Sequence, residues 1–141
     1  NAYYLFISGH QDYMSSCRWK IRSSNLPYAF GQFIDPNGIA VSGITSPMYF
    51  NVRKNTPEFK IYLTGSPPIQ AEVVDPSGKA VVKIDKKVSY EVVPVKQPVS
   101  GWWRLRFTRP ERGLEGYVRF SNELDGYVVI DPEKALLVER K

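Results

Sequence analysis

The sequence predicts an all-β fold, namely a two-layer antiparallel β-sandwich of the jelly-roll or immunoglobulin-like type. Short apolar segments with period-two alternation recur along the chain, and helical periodicity is hard to find. Turn sequences separate these segments, including two of the form Asp-Pro-x-Gly. About ten to twelve closely spaced short strands are typical of a sandwich or a barrel, whereas a parallel sheet would need crossover helices.

The first part of the chain contributes five predicted strands. In residues 13–22, alternation puts Trp19 and Ile21 on one side and basic residues on the other, which is typical of a half-buried strand. The sequence Asp35-Pro36-Asn37-Gly38 has the residue preferences of a type I turn. The five segments are residues 3–8, 13–22, 28–34, 39–44 and 48–52.

The clearest predicted hairpin lies in the middle of the chain. Residues 69–74 and 80–84 flank Asp75-Pro76-Ser77-Gly78, a second turn of the same type. The remaining predicted strands are residues 59–63, 88–95, 102–108, 116–120 and 127–130, with an edge segment at 136–138 and one short helical turn at 132–135.

Length and composition indicate a single globular domain. A chain of 141 residues, 43% hydrophobic and 23% charged, is long enough to bury a core without disulfides, so we expect residues 1–141 to form one β-sandwich domain. Because the chain begins with Asn1 and shows no signal peptide, we expect it to be cut from a larger protein. No apolar run approaches the ~20 residues that span a bilayer, so no membrane span is predicted.

The residues that usually carry catalysis or bind metals are sparse. The chain has one cysteine, Cys17, and one histidine, His10, so few residues could form a zinc site or a catalytic triad. Its 14 acidic residues are dispersed, mostly near turns, where an Asp usually accepts hydrogen bonds from its own backbone. We therefore expect no catalytic residues and no cofactor, with a structural Ca²⁺ at one turn as an alternative.

The strand at residues 102–107 carries the main candidate binding residues. Period two places Trp103, Leu105 and Phe107 on the core side and Trp102, Arg104 and Arg106 on the outer side. An aromatic ring can stack on a sugar, and Arg can donate hydrogen bonds to its hydroxyls or carboxylates. The alternative is that Trp102 packs under a loop or a neighbouring domain. Weaker candidates from another outward face are Tyr62 and Lys60.

Four segments carry a resemblance to known proteins, namely residues 48–63, 71–79, 100–107 and 131–138. In the same order along the chain, they resemble segments of β-sandwich modules of large bacterial polysaccharide-processing proteins. The resemblance therefore covers the chain from Met48 onward. It implies a non-catalytic module at the C-terminal end of a glycoside hydrolase, a polysaccharide lyase or a related surface protein. It names no ligand residues. The residue matching Trp103 is a core residue in such modules, and Trp102 departs from the usual pattern.

The expected function is that of an accessory module in a bacterial carbohydrate-active protein. It would bind polysaccharide or buttress a catalytic domain, and the net charge of +5 favours an acidic polymer. The other expected partners are neighbouring domains of the parent chain. Nucleic acid is not expected, because no RNA- or DNA-binding motif is present. Two alternatives remain: a structural or adhesion module that contacts protein, and a small sandwich hydrolase or lyase with converging carboxylate, His10 or Tyr groups.

Overall fold

The computed structural model describes residues 30–31, 38–42, 47–85, 87–108, 115–129 and 131–134. The strands predicted at residues 3–8, 13–22 and 136–138 lie outside the described residues, as do His10 and Cys17. All statements below concern the described part of the chain.

The described residues form ten β-strands and one short 3₁₀ turn at Pro132–Lys134, where one helical turn is predicted. The strands are β1 Phe30–Gly31, β2 Ile39–Ser42, β3 Met48–Val52, β4 Glu58–Ser66, β5 Ala71–Val74, β6 Ala80–Ile84, β7 Tyr90–Lys96, β8 Gly101–Phe107, β9 Glu115–Phe120 and β10 Tyr127–Val128. Of these, β3 and β6 have the predicted bounds, and β4 extends past its predicted end to Ser66.

Eight of the strands form two four-stranded antiparallel sheets. Sheet I has the order β2-β9-β4-β7, and sheet II has the order β3-β8-β5-β6. The pairs β1–β10, β2–β9, β3–β8, β4–β7 and β5–β6 are nested, as in one long hairpin wrapped around itself. The predicted all-β sandwich is confirmed, and this nesting is that of a jelly roll rather than of an immunoglobulin domain.

A short continuation of β10 lies beside the outer edge of sheet II. Tyr49 and Val129 exchange two backbone hydrogen bonds of 2.8 Å each, which places Val129 next to β3. Membrane-spanning helices are not found in the part of the chain that the structure describes.

The two sheets meet through a cluster of aromatic side chains. Phe50 of sheet II contacts Phe59 and Phe120 of sheet I, with ring centroids 5.6 Å and 4.9 Å apart. Trp103 of sheet II meets Phe59 edge to face at 5.4 Å. The indole N–H of Trp103 donates a 2.8 Å hydrogen bond to the carbonyl oxygen of Val99, so its polar atom is satisfied. These rings anchor a buried core between the inner faces.

The inward side of β8 confirms the alternation predicted from the sequence. Trp103, Leu105 and Phe107 are all buried in the core between the sheets. Their neighbours along the strand therefore project from the opposite side of sheet II.

The predicted turn between β5 and β6 is present. The Asp75 carboxylate accepts hydrogen bonds from the Ser77 hydroxyl and from the backbone N–H groups of Ser77 and Lys79. These bonds, the hydroxyl first, hold the pKa of Asp75 below its usual value. Gly78 closes the turn with φ at +89°, a conformation that favours glycine.

A pair of glycines explains why β4 continues as far as Ser66. Gly65 lies directly opposite Gly116 of β9. A Cβ atom on Gly116 would come within 2.1 Å of the Thr64 carbonyl oxygen, so no other residue fits without moving the backbone. The strands approach closely at this point because neither residue carries a side chain.

Replacing Phe59 with Ala should lower the free energy of unfolding by about 3–5 kcal/mol, because it removes the ring that touches both Phe50 and Trp103. Urea denaturation measures the change. Val88→Ala, at an exposed position, should change it by less than about 0.5 kcal/mol. A cost below about 1 kcal/mol for Phe59→Ala would show that the aromatic cluster does not hold the sheets together.

Candidate functional site

The outer face of sheet II carries the three main residues predicted from the sequence. Trp102, Arg104 and Arg106 project from β8 on the side away from the core, as the alternation predicts. Trp102 and Arg104 are half-buried, and Arg106 is exposed. We call this surface the tryptophan face and define it by Tyr49, Asn51, Glu72, Trp102, Arg104 and Arg106.

Cross-strand pairing fixes the neighbours of each residue on the tryptophan face. Trp102 lies opposite Asn51 on β3. Arg104 lies between Tyr49 on one side and Val74 on the other. The face therefore combines aromatic rings with an amide and a guanidinium group, which is the chemistry expected of a sugar site.

Part of the tryptophan face is covered. Val74 and Val129 occupy the same row as Arg104 and Tyr49, on the outer side of the sheet, yet they are only 1% and 0% exposed. Neither belongs to the hydrophobic core between the sheets. The face thus contains a second, smaller buried layer and is not a fully open surface.

The guanidinium group of Arg106 is engaged by a neighbour on β5. Arg106 lies directly opposite Glu72 and donates a hydrogen bond to its carboxylate. This bond holds the pKa of Glu72 below its usual value, with smaller contributions from the positive charges of Arg106 and Lys83. Arg106 is therefore committed to an ion pair, whereas Arg104 makes no such pair with the described residues.

The two weaker sequence candidates lie on the other side of the molecule. Tyr62 and Lys60 project from β4 on the outer face of sheet I. The structure brings them together with each other but not with Trp102, Arg104 and Arg106, because the whole core separates the two outer faces.

The outer face of sheet I presents a broader set of aromatic side chains. We call it the tyrosine face. Tyr90 and Val92 on it are 56% and 36% exposed, so this surface is more open than the tryptophan face. Its members project from the neighbouring strands β9, β4 and β7 and are Tyr62, Thr64, Tyr90, Val92, Tyr117 and Arg119.

The strand register sets the spacing on the tyrosine face. Tyr117, Thr64 and Tyr90 form one row across the sheet. Since neighbouring strands are about 4.8 Å apart, the backbones that carry Tyr117 and Tyr90 lie roughly 10 Å apart. Tyr62 occupies the next row, between Arg119 and Val92. Two tyrosines therefore flank a small hydroxyl-bearing residue over a distance comparable to a disaccharide.

Basic groups border the tyrosines. The guanidinium carbon of Arg119 lies 4.4 Å from the centroid of the Tyr62 ring, which is a cation–π contact. The Lys60 ammonium group is 3.6 Å from a carboxylate oxygen of Glu58, and both side chains are exposed. Such an exposed pair contributes at most about 1 kcal/mol, so a ligand can compete for Lys60.

Sequence reasoning did not single out Tyr90 and Tyr117. Each occupies an outward position of its strand, so alternation marks them as non-core residues. Their proximity depends on β7 and β9 both pairing with β4, and nothing in the local sequence indicates this pairing.

Several of the described carboxylates have local partners. Asp125 is bound by the guanidinium group of Arg53 at 2.8 Å and 3.2 Å. The Asp131 carboxylate accepts the backbone N–H of Glu133. The shifted pKa values of Glu72, Asp75 and Glu123 are all lowered, whereas a general acid needs a raised pKa. No three potential metal-ligating side chains cluster among the described residues.

Comparisons with protein-family models, with curated proteins and with solved structures found no match.

Replacing Arg106 with Met should return the pKa of Glu72 toward its ordinary value of 4.5, because the largest cause of its depression is removed. A ¹³C NMR titration of the Glu72 carboxyl carbon measures this. In the wild type, the ion pair contributes stability at neutral pH and loses it as the pH falls through the lowered pKa. The matched control Arg104→Met should leave the titration unchanged. Identical titrations in the wild type and Arg106→Met would contradict the assignment.

Proposed function

We propose that this chain is a non-catalytic β-sandwich module that binds polysaccharide on the tyrosine face, as an accessory part of a carbohydrate-active protein. The observation that supports this most directly is the array of Tyr62, Tyr90 and Tyr117 on one face of sheet I, in which Tyr90 is exposed and the other two tyrosines are half-buried. The parent protein would be secreted or carried on the cell surface, where polysaccharides are found.

The chemistry of the tyrosine face suits an extended sugar chain. Tyrosine offers a flat apolar ring for the C–H groups of a pyranose and a hydroxyl group for hydrogen bonds. Thr64 lies between Tyr117 and Tyr90, and Lys60 lies near the border of the array, so both can bind sugar hydroxyls. A flat sheet surface gives a polymer room to enter and leave at both ends.

The tryptophan face is the competing surface within the same proposal. Trp102 and Arg104 have suitable chemistry and are half-buried, as Tyr62 and Tyr117 are, but the neighbouring Val74 and Val129 are covered, and Arg106 already binds Glu72. A ligand there would have to displace that ion pair or use Arg104 alone. For this reason we place the polysaccharide on the tyrosine face.

A second candidate function is contact with a neighbouring domain of the parent protein. It is favoured by exposed large apolar side chains that lie outside the tyrosine face. These are Val81, Val88 and Val99. Such residues are common on binding surfaces for protein, although single exposed valines also occur on inert surfaces.

Affinity electrophoresis in native gels tests which face binds. The protein is basic, with a pI of about 9.3, so it is run toward the cathode through gels that contain neutral or acidic polysaccharides. Loss of one stacked ring should cost about 0.5–1.5 kcal/mol, so the double variant Tyr90→Ala/Tyr117→Ala should weaken binding by roughly 5- to 140-fold. Trp102→Ala and the exposed control Val88→Ala should bind as the wild type does.

Loss of retardation in Trp102→Ala alone would move the site to the tryptophan face. If no polysaccharide retards the wild type, the proposal is wrong, and contact with a neighbouring domain becomes the leading function.

A further inference from the structure

Several described basic side chains have a carboxylate partner, whereas Arg119 has an aromatic one. Arg53 binds Asp125, Arg106 binds Glu72, and Lys60 lies near Glu58. Arg119 makes no ion pair with the described residues, and its guanidinium group instead contacts the ring of Tyr62. Its side chain is exposed on the tyrosine face, so its charge faces solvent.

The Tyr62 ring orients this guanidinium group. A free arginine side chain loses considerable rotamer entropy when it binds a ligand, and stacking on an aromatic ring reduces that loss. A stacked guanidinium still directs its N–H donors outward in its own plane. That planar fork matches a carboxylate, which it binds through two parallel hydrogen bonds.

The contact between Arg119 and Tyr62 also indicates what Tyr62 does. Because Arg119 lies over its ring at 4.4 Å, Tyr62 is a poor surface for a sugar to stack on. Tyr90 and Tyr117 make no ring contact with another described residue, so they are the stacking residues. Tyr62 is instead a positioning residue that acts through Arg119.

The position of Arg119 relative to Tyr117 defines the ligand. The two residues are neighbours on the outer side of β9, about 7 Å apart along the strand. A sugar ring stacked on Tyr117 would therefore place an exocyclic substituent within reach of the guanidinium group. Lys60 lies one row beyond Tyr62 and adds a second positive charge to the same area.

We infer that the tyrosine face binds a uronate-containing polysaccharide, with Arg119 forming a bidentate pair with a sugar carboxylate. This inference rests on the proposed function and adds the chemical class of the polymer. The net charge of +5 is complementary to such a polymer and would speed the encounter.

Isothermal titration calorimetry with two forms of one ligand tests the inference. The ligands are an oligogalacturonate and the same oligosaccharide with its carboxylates methyl-esterified, so only the charge and the bidentate acceptor differ. The wild type should prefer the acid by about tenfold or more, as expected for charge-assisted hydrogen bonds. Arg119→Gln should remove most of the preference, because Lys60 remains as the other positive charge near the site. Arg119→Lys should restore only part of it, because an ammonium group lacks the planar fork.

Two further comparisons separate a specific role from general charge. Lys96→Gln removes one positive charge from the same sheet. Lys96 lies opposite Glu58, at the end of β7 far from the stacking residues. This variant should therefore keep the preference for the acidic ligand within about twofold of the wild type. Tyr62→Leu should reduce the preference as Arg119→Gln does, whereas Tyr62→Phe, which retains the ring, should preserve it.

Equal affinity of the wild type for both ligands would overturn the inference, as would an undiminished preference in Arg119→Gln. If a neutral polysaccharide binds through Tyr90 and Tyr117 while the acid preference is absent, the proposed function stands and only the inference fails. If no polysaccharide binds the wild type, both fail.

Discussion

The architecture depends on the packing of aromatic rings between the two sheets. Phe59 contacts Phe50 and Trp103, which belong to the opposite sheet, and Phe50 also reaches Phe120. This cluster fills the space between the inner faces of β3 and β8 in one sheet and of β4 and β9 in the other. Within the described part of the chain, the two outer faces of the sheets are therefore the regular surfaces that a partner could contact.

The same packing determines which residues appear outside. A strand that slipped by one residue would exchange its inner and outer sets, so a buried inner set fixes the register strongly. Phe59, Ile61 and Leu63 must face inward, which forces Lys60 and Tyr62 outward. The array on the tyrosine face is thus a consequence of the core, and its rigidity follows from the strands that carry it. A preorganised surface of this kind binds with little loss of conformational entropy.

The fold was largely predictable from the sequence, but the candidate site was only partly so. Alternation and turn chemistry are local signals, and they identify the hairpin around Asp75 and the inward side of β8. Strand neighbours depend on contacts between distant residues, so the proximity of Tyr90 to Tyr117 was not predictable. The partial burial of Trp102 and the bond between Arg106 and Glu72 also depend on cross-strand contacts. For this reason the sequence analysis places the candidate site on the tryptophan face, whereas our proposal places it on the tyrosine face.

Chemical-shift mapping by ¹H–¹⁵N NMR tests the central claim most directly, because it locates the bound ligand on one face without any substitution. The measurement follows the backbone amides while a polysaccharide fragment that binds the protein is added. If the ligand binds the tyrosine face, the largest shifts should occur in β4, β7 and β9, around Thr64, Tyr90 and Tyr117. Shifts confined to β3, β5 and β8, around Trp102 and Arg104, would contradict binding on the tyrosine face and would place the function on the opposite face of the sandwich.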